Sequence, residues 1–159
     1  MTGEPSRCFS GAARPDTPYR YIEDVATADV AFEAWGDTPE ETFVSAGDAT
    51  MNVMVDELDA IRPRESRRID LVTDALDMLL FELLQELIYY KDAEQLLLRV
   101  RDLRIEAKDA SFRLLAEARG ETIDPGRHRL NVDVKAVTLH RFIVERTPAG
   151  WRAAVILDI

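Results

Sequence analysis

The chain has 159 residues, 47% of them apolar, which suits one compact unit with a buried core and excludes wholesale disorder. With 30 Asp+Glu against 20 Lys+Arg the formal net charge is −10, which argues against unaided binding to a nucleic-acid backbone and leaves a basic protein surface or a metal cation as partners. The single cysteine, Cys8, excludes an internal disulfide and fits a reducing compartment. No apolar run reaches the roughly 18 residues of a membrane span, and the N-terminus lacks the apolar centre of a secretory signal, so the expected location is cytoplasmic.

Residues 1–18 hold several Gly, Ser and Pro and little to bury, and they read as a flexible extension before a domain over 19–159. A short strand is expected over Tyr19–Glu23 and a longer one over Thr27–Gly36, with Asp29, Ala31, Glu33 and Trp35 on one face and Ala28, Val30, Phe32 and Ala34 on the other. Thr38-Pro39-Glu40-Glu41 is a helix start: an N-cap, a proline at the first helical position, and an acid at capping-box spacing. The stripe Phe43, Gly47, Met51, Met54, Leu58, Ile61 carries that helix from 39 to about 58. A strand over 64–72 and a second helix over 74–90 follow, the latter apolar around most of its circumference and therefore more buried. Strands are then expected over 96–108, 111–119, 132–146 and 151–159, with turns at Asp109-Ala110 and Thr147–Gly150 and a loop around Asp124-Pro125-Gly126. The order predicts an α+β fold in which two helices pack on a largely antiparallel sheet. There is no sequence repeat, only an echo in the way each helix lies between strands.

The chain carries no phosphate-cradling glycine loop, and neither His128 nor His140 has a partner at triad or metal-ligand spacing. What remains is carboxylate chemistry. Asp29 opens a strand, and Asp158 ends the last one beside the terminal carboxylate of Ile159; such oxygen donors suit a hard cation such as Ca²⁺ or Mg²⁺. The plain alternatives are that Asp29 caps a turn, Asp158 is a solvated end, and Lys135 is an edge-strand lysine that discourages sheet-to-sheet pairing. Arg67-Arg68, Arg99, Arg101 and Arg104 read as solvated strand faces, and Trp35 and Trp151 as packing residues.

Several blocks together resemble the archease family: Thr27-Ala28-Asp29-Val30, Ala34 to Phe43, Gly120-Glu121, Val134-Lys135-Ala136-Val137-Thr138-Leu139-His140, and Leu157-Asp158-Ile159, spanning about 19–159. The resemblance implies two strand-helix-strand-strand units, one inserted in the other. It implies an accessory protein, not itself an enzyme, for an RtcB-type RNA ligase that uses GTP and a divalent metal in tRNA splicing and RNA repair. Such a protein promotes guanylylation of the ligase and multiple turnover, and it meets RNA only through the ligase. By the same resemblance Asp29 and Asp158, with the Ile159 carboxylate as a further candidate, bind a divalent cation. Lys135 is the functional lysine, contacting phosphate or ligase, and His140 matches a motif position as an additional candidate. The sequence departs from the family pattern at Val25-Ala26, where an acid–histidine pair is common (Asp24 lies one position out of register), and at Leu139, where tyrosine is frequent. Two other functions fit the same carboxylates: a metal-dependent hydrolase with His140 as general base, or a metal-binding module of this fold without a ligase role.

Overall fold

Antiparallel pairing between strands from opposite ends of the chain organises the computed structural model, which describes residues 14–23 and 29–159. Asp24, Val25-Ala26, Thr27-Ala28, and the first 13 residues with Cys8 lie outside the described residues. The elements in order are β1 (Tyr19–Ile22), β2 (Asp29–Gly36), α1 (Pro39–Met54), β3 (Glu65–Thr73), α2 (Leu76–Glu94), β4 (Leu96–Lys108), β5 (Ser111–Thr122), β6 (Ala136–Thr147) and β7 (Gly150–Asp158). A short 3-10 turn at Leu58–Ala60 lies between α1 and β3.

The strands form two antiparallel sheets, ordered β1-β2-β7-β6 and β3-β5-β4. Leaving β1 aside, each sheet arises from strand, helix, strand, strand, and in each the third strand lies between the first and second. The unit β3-α2-β4-β5 is thus inserted between α1 and β6 of a unit with the same topology, and the weak echo in the sequence is a repeated architecture. Both helices pack against both sheets, so a single core runs through the molecule, with Phe32, Phe43, Met51, Leu83, Leu98 and Leu157 fully buried.

Local chemistry accounts for the helix ends. Thr38 Oγ1 accepts from the Glu41 N–H at 3.1 Å, while the Glu41 carboxylate accepts from the Asp37 N–H at 2.9 Å, closing the expected box one residue wider than its usual form. Helix α1 stops at Met54, short of the expected 58. Val55 is extended and pairs with Leu130, and the Asn52 amide donates to the carbonyls of Val55 and Asp56. Helix α2 runs four residues past the expected Tyr90 and ends on Gln95 in the left-handed region (φ 56°). Strand β6 begins at Ala136, later than expected, because residues 131–135 carry no ladder pairing. Of the expected N-terminal extension, Arg14–Pro18 is described: Arg14 pairs with Asp37 at 3.0 Å, and the Pro18 carbonyl accepts from the Trp35 N–H.

The two connections that carry the chain into and out of the inserted unit lie side by side. The Asp56 N–H donates to the Arg129 carbonyl, the Asn131 N–H to the Met54 carbonyl, and the Arg127 guanidinium to the Ala60 carbonyl. Glu121, only 4% exposed, fastens them: its carboxylate takes the Arg62 N–H at 2.8 Å, the Arg127 guanidinium, and the His128 ring at 2.8 Å. His128 Nδ1 accepts from the Asp124 N–H, so the ring proton sits on Nε2 and points at Glu121. The Arg127 hydrogen bond, opposed by burial and helped by the Arg62 amide and His128, lowers the Glu121 pKa to about 2. Next to it, Gly120 is required by close approach: a Cβ there would stand 1.7 Å from the Leu97 carbonyl oxygen.

Two outcomes follow. Gly120→Ala lowers unfolding stability by roughly 3 kcal/mol in denaturant titration, whereas Gly126→Ala, whose Cβ meets only the Asp124 carboxylate at 3.4 Å, costs less than about 1 kcal/mol. A depressed carboxylate contributes stability above its unfolded pKa and loses it as the proton binds. The Glu121 contribution is therefore full above about 4.5 and fades as pH falls toward about 2. Glu121→Gln removes that component, and its stability-versus-pH curve is flatter across this window than that of the parent.

Candidate functional site

The β2–β7 register begins at Asp29↔Asp158 and ends at Gly36↔Trp151. Directly opposed residues of an antiparallel pair share a face, so the two aspartates are cross-strand neighbours on the face that also carries Ala31, Glu33 and Trp35 of β2 and Ile156 and Arg152 of β7. On the other side of β7, Ala136 pairs with Asp158, and the Lys135 N–H donates to the Asp158 carbonyl at 2.8 Å. Alternation along each strand, taken alone, leaves Lys135 and Asp158 apart; the sheet ladder puts them at one corner. Asp29, Asp158 and Ile159 are half-buried and Lys135 is exposed, with Ile159 packed against the core.

The aspartate pair differs electrostatically from the other acids held in the fold. Glu33, fully buried on the same face, binds Arg152 at 2.9 Å and Arg20 at 2.7 Å. Asp48 is held bidentately by Arg99, and Asp70 by Arg113. Asp29 and Asp158 have no side-chain hydrogen bond or ion pair among the described residues. Like charges directly opposed across a ladder repel, so the pair is incomplete as it stands. Its chemistry is two hard oxygen donors. Among the described residues no third His, Cys, Asp or Glu joins them, so the chain's own side chains supply two such donors and no more.

His140 lies elsewhere. The β6–β7 register jumps between Thr138↔Ile156 and Ile143↔Ala154, so Leu139–Phe142 stand opposite Val155 alone, with Arg141 at φ 55°. This wide bulge leaves Leu139, His140 and Arg141 exposed on an edge strand and turns Phe142 back onto Phe81 of α2. Arg67 forms a surface pair with Glu94 and Glu65, whereas Arg99 departs from the expected solvated face, its side chain 16% exposed and held by Asp48. Trp35 and Trp151 are packed, with Arg20 and Arg146 lying over their rings.

Sequence reasoning missed the group that holds the Lys135 segment. Lys91, in the last turn of α2 and 5% exposed, donates to Asp133, Asp92 and the Val134 carbonyl. Gln85, two turns earlier, accepts from the Val137 N–H at 2.9 Å. Burial disfavours the Lys91 ammonium, but hydrogen bonds to Asp133 and Asp92 outweigh it and raise its pKa, so it stays charged at neutral pH. A signal was present: Lys91 continues the spacing Leu80, Leu84, Leu87 and so falls on the buried stripe.

This is a small α+β protein of two nested strand-helix-strand-strand units, with an unpaired acidic couple where the ends of the outer unit meet. The Archease protein family (MTH1598/TM1083) model matches residues 19–159, and the chain belongs to the archease family. It is 35% identical to the protein archease of Methanopyrus kandleri over 142 residues, 89% of this chain and 99% of that one. It is 36% identical to that of Pyrococcus furiosus over 134 residues, 84% and 94% of the two chains. The solution structure of Methanobacterium thermoautotrophicum protein 1598 superposes with a TM-score of 0.77 at 33% identity, covering 90% of this chain and 99% of that one. A Thermotoga maritima structure, described as an archease and possible chaperone, shares the fold at TM-score 0.57 and 17% identity over 87% of this chain and 97% of that one.

If the aspartates repel, neutralising one helps the cation-free protein. Asp158→Asn, measured in chelator by thermal or denaturant unfolding, is more stable than the parent by about 0.5 kcal/mol. A loss of stability in chelator would show that the pair is compensated without a cation.

Proposed function

We propose that this archease is an accessory activator of an RtcB-type GTP-dependent RNA ligase in tRNA splicing and RNA repair, promoting ligase guanylylation and multiple turnover. The observation that carries the reading is the unpaired couple Asp29–Asp158 joined at one sheet corner to the Lys135 segment. Family membership supports it, together with a net charge of −10, which favours docking to a basic RNA-handling enzyme over binding RNA directly.

In this reading Asp29 and Asp158 hold a divalent cation, calcium or magnesium, with the Ile159 carboxylate as a further donor. When bound, the cation supplies positive charge that orients and neutralises phosphate oxygens. Lys135, exposed beside the pair, offers a flexible ammonium to phosphate in the ligase's nucleotide pocket. The chain's role is to present these groups, while the covalent step belongs to the ligase.

The test combines calorimetric calcium titration with a guanylylation assay using purified ligase. Asp158→Ala weakens calcium binding at least tenfold and abolishes the stimulation of guanylylation. Lys135→Ala keeps calcium affinity within about twofold and loses most of the stimulation. Stimulation that survives Asp158→Ala sinks the proposal, and an intrinsic phosphoesterase activity lost in His140→Ala would establish the hydrolase instead.

A further inference from the structure

We infer that Lys91 is a positioning residue: it ties the inserted unit to the candidate site by holding the 133–135 segment, and so sets where Lys135 stands beside Asp158. What the site binds rests on the function proposed above; the positioning itself does not.

Residues 131–135 carry no ladder pairing, yet the Lys135 N–H must reach the Asp158 carbonyl for β6 to enter its register with β7. Beyond the Asn131 bonds to Met54 and Asp56 at its start, three attachments hold the segment near Lys135. Val134 is fully buried, the Gln85 amide oxygen receives the Val137 N–H, and Lys91 grips both the Asp133 carboxylate and the Val134 carbonyl. Two of the three come from α2, a helix of the inserted unit, whereas Asp29 and Asp158 belong to the outer sheet. Lys91 is the only one of these attachments that brings a charge into the interior, its side chain being 7% exposed.

Stability alone does not explain that choice. A methionine fills similar space with no ammonium to desolvate, and the side chains of Asp133 and Asp92, 65% and 56% exposed, stay solvated without it. Only the buried Val134 carbonyl loses its donor, at a cost that the avoided desolvation offsets. What methionine cannot do is bind the Val134 carbonyl and Asp133 at once. Its position in the last turn, beside the negative end of the α2 dipole, further favours a cation there. The arrangement trades stability for the location of a segment, as expected at a site whose groups must be held in place.

Residue-resolved amide exchange on the full chain tests this, with calcium titration and thermal unfolding alongside. In Lys91→Met, protection of the Lys135 and Val137 amides falls tenfold or more. The Phe32 and Val155 amides in the β2–β7 core hold, the unfolding midpoint falls by no more than a few degrees, calcium affinity stays within about twofold as for Lys135→Ala, and stimulation of ligase guanylylation falls at least fivefold. Asp133→Asn, a change at an exposed side chain, gives the same pattern at about threefold. Unchanged protection at Lys135 and Val137 in Lys91→Met, or in Asp133→Asn should Lys91→Met not fold, overturns the inference. Calcium binding that is absent from the parent, or unaffected by Asp158→Ala, overturns the metal reading and leaves the exchange result to decide the role of Lys91.

Discussion

The β2–β7 ladder is the constraint on which the rest depends. It joins β2 to β7, and every residue pair from Asp29↔Asp158 to Gly36↔Trp151 is in register. Because Phe32, Val155 and Leu157 point into the core from this ladder, a slip by one residue would replace them there with the opposite set, which includes Glu33 and Arg152. The same register fixes two carboxylates face to face. The hydrophobic pattern that sets this register thus also places two acids in directly opposed ladder positions, a cross-strand contact of like residues.

That contact is informative because the fold otherwise manages its buried charge closely. The face bearing Asp29 and Asp158 continues to Glu33 and Arg152, an ion pair with almost no exposure, extended by Arg20 and Glu145. Burying such groups costs several kcal/mol per ion, which is recovered only when every lone pair and proton is met. Around Glu33 they are met on both sides, and around Glu121 three donors converge.

Most elements and the helix start at Thr38 were legible locally, since capping spacing, turn residues and strand alternation act within a few positions. Alternation puts Asp29 with Glu33; what it cannot say is that Asp158, Ile156 and Arg152 lie on that same face of one sheet. Register between distant strands is a tertiary quantity. The division into two sheets is of the same kind: local pattern gives strands, while the choice of neighbour depends on which helix each strand covers. The end of α1 was misjudged because Leu58 and Ile61 keep helical spacing while lying on the crossover, where Ile61 is buried without a helix beneath it. Lys91 was passed over because a lysine–aspartate pair after an apolar helix resembles a solvated end, and only burial reveals that it faces inward.

The nested topology gives the site a dependence that neither unit has alone. The outer unit supplies the aspartates on β2 and β7, but the chain returns to β6 only after leaving the inserted unit, and it returns along α2. The crossovers fastened by Glu121 set where residues 120–131 begin that path, and Lys91 with Gln85 sets where it ends. Beyond the site, the bulge at Leu139–Phe142 interrupts pairing on the exposed edge of β6, which discourages a foreign strand from adding there. Ladder order on β6 is thus concentrated in two stretches, Ala136–Thr138 beside the aspartates and Ile143–Thr147 beyond the bulge. The first stretch is only three residue pairs long, preceded by the Lys135 N–H bond to the Asp158 carbonyl, and the contacts from Lys91 and Gln85 add to it from outside the sheet. The helix of the inserted unit is the element placed to add them.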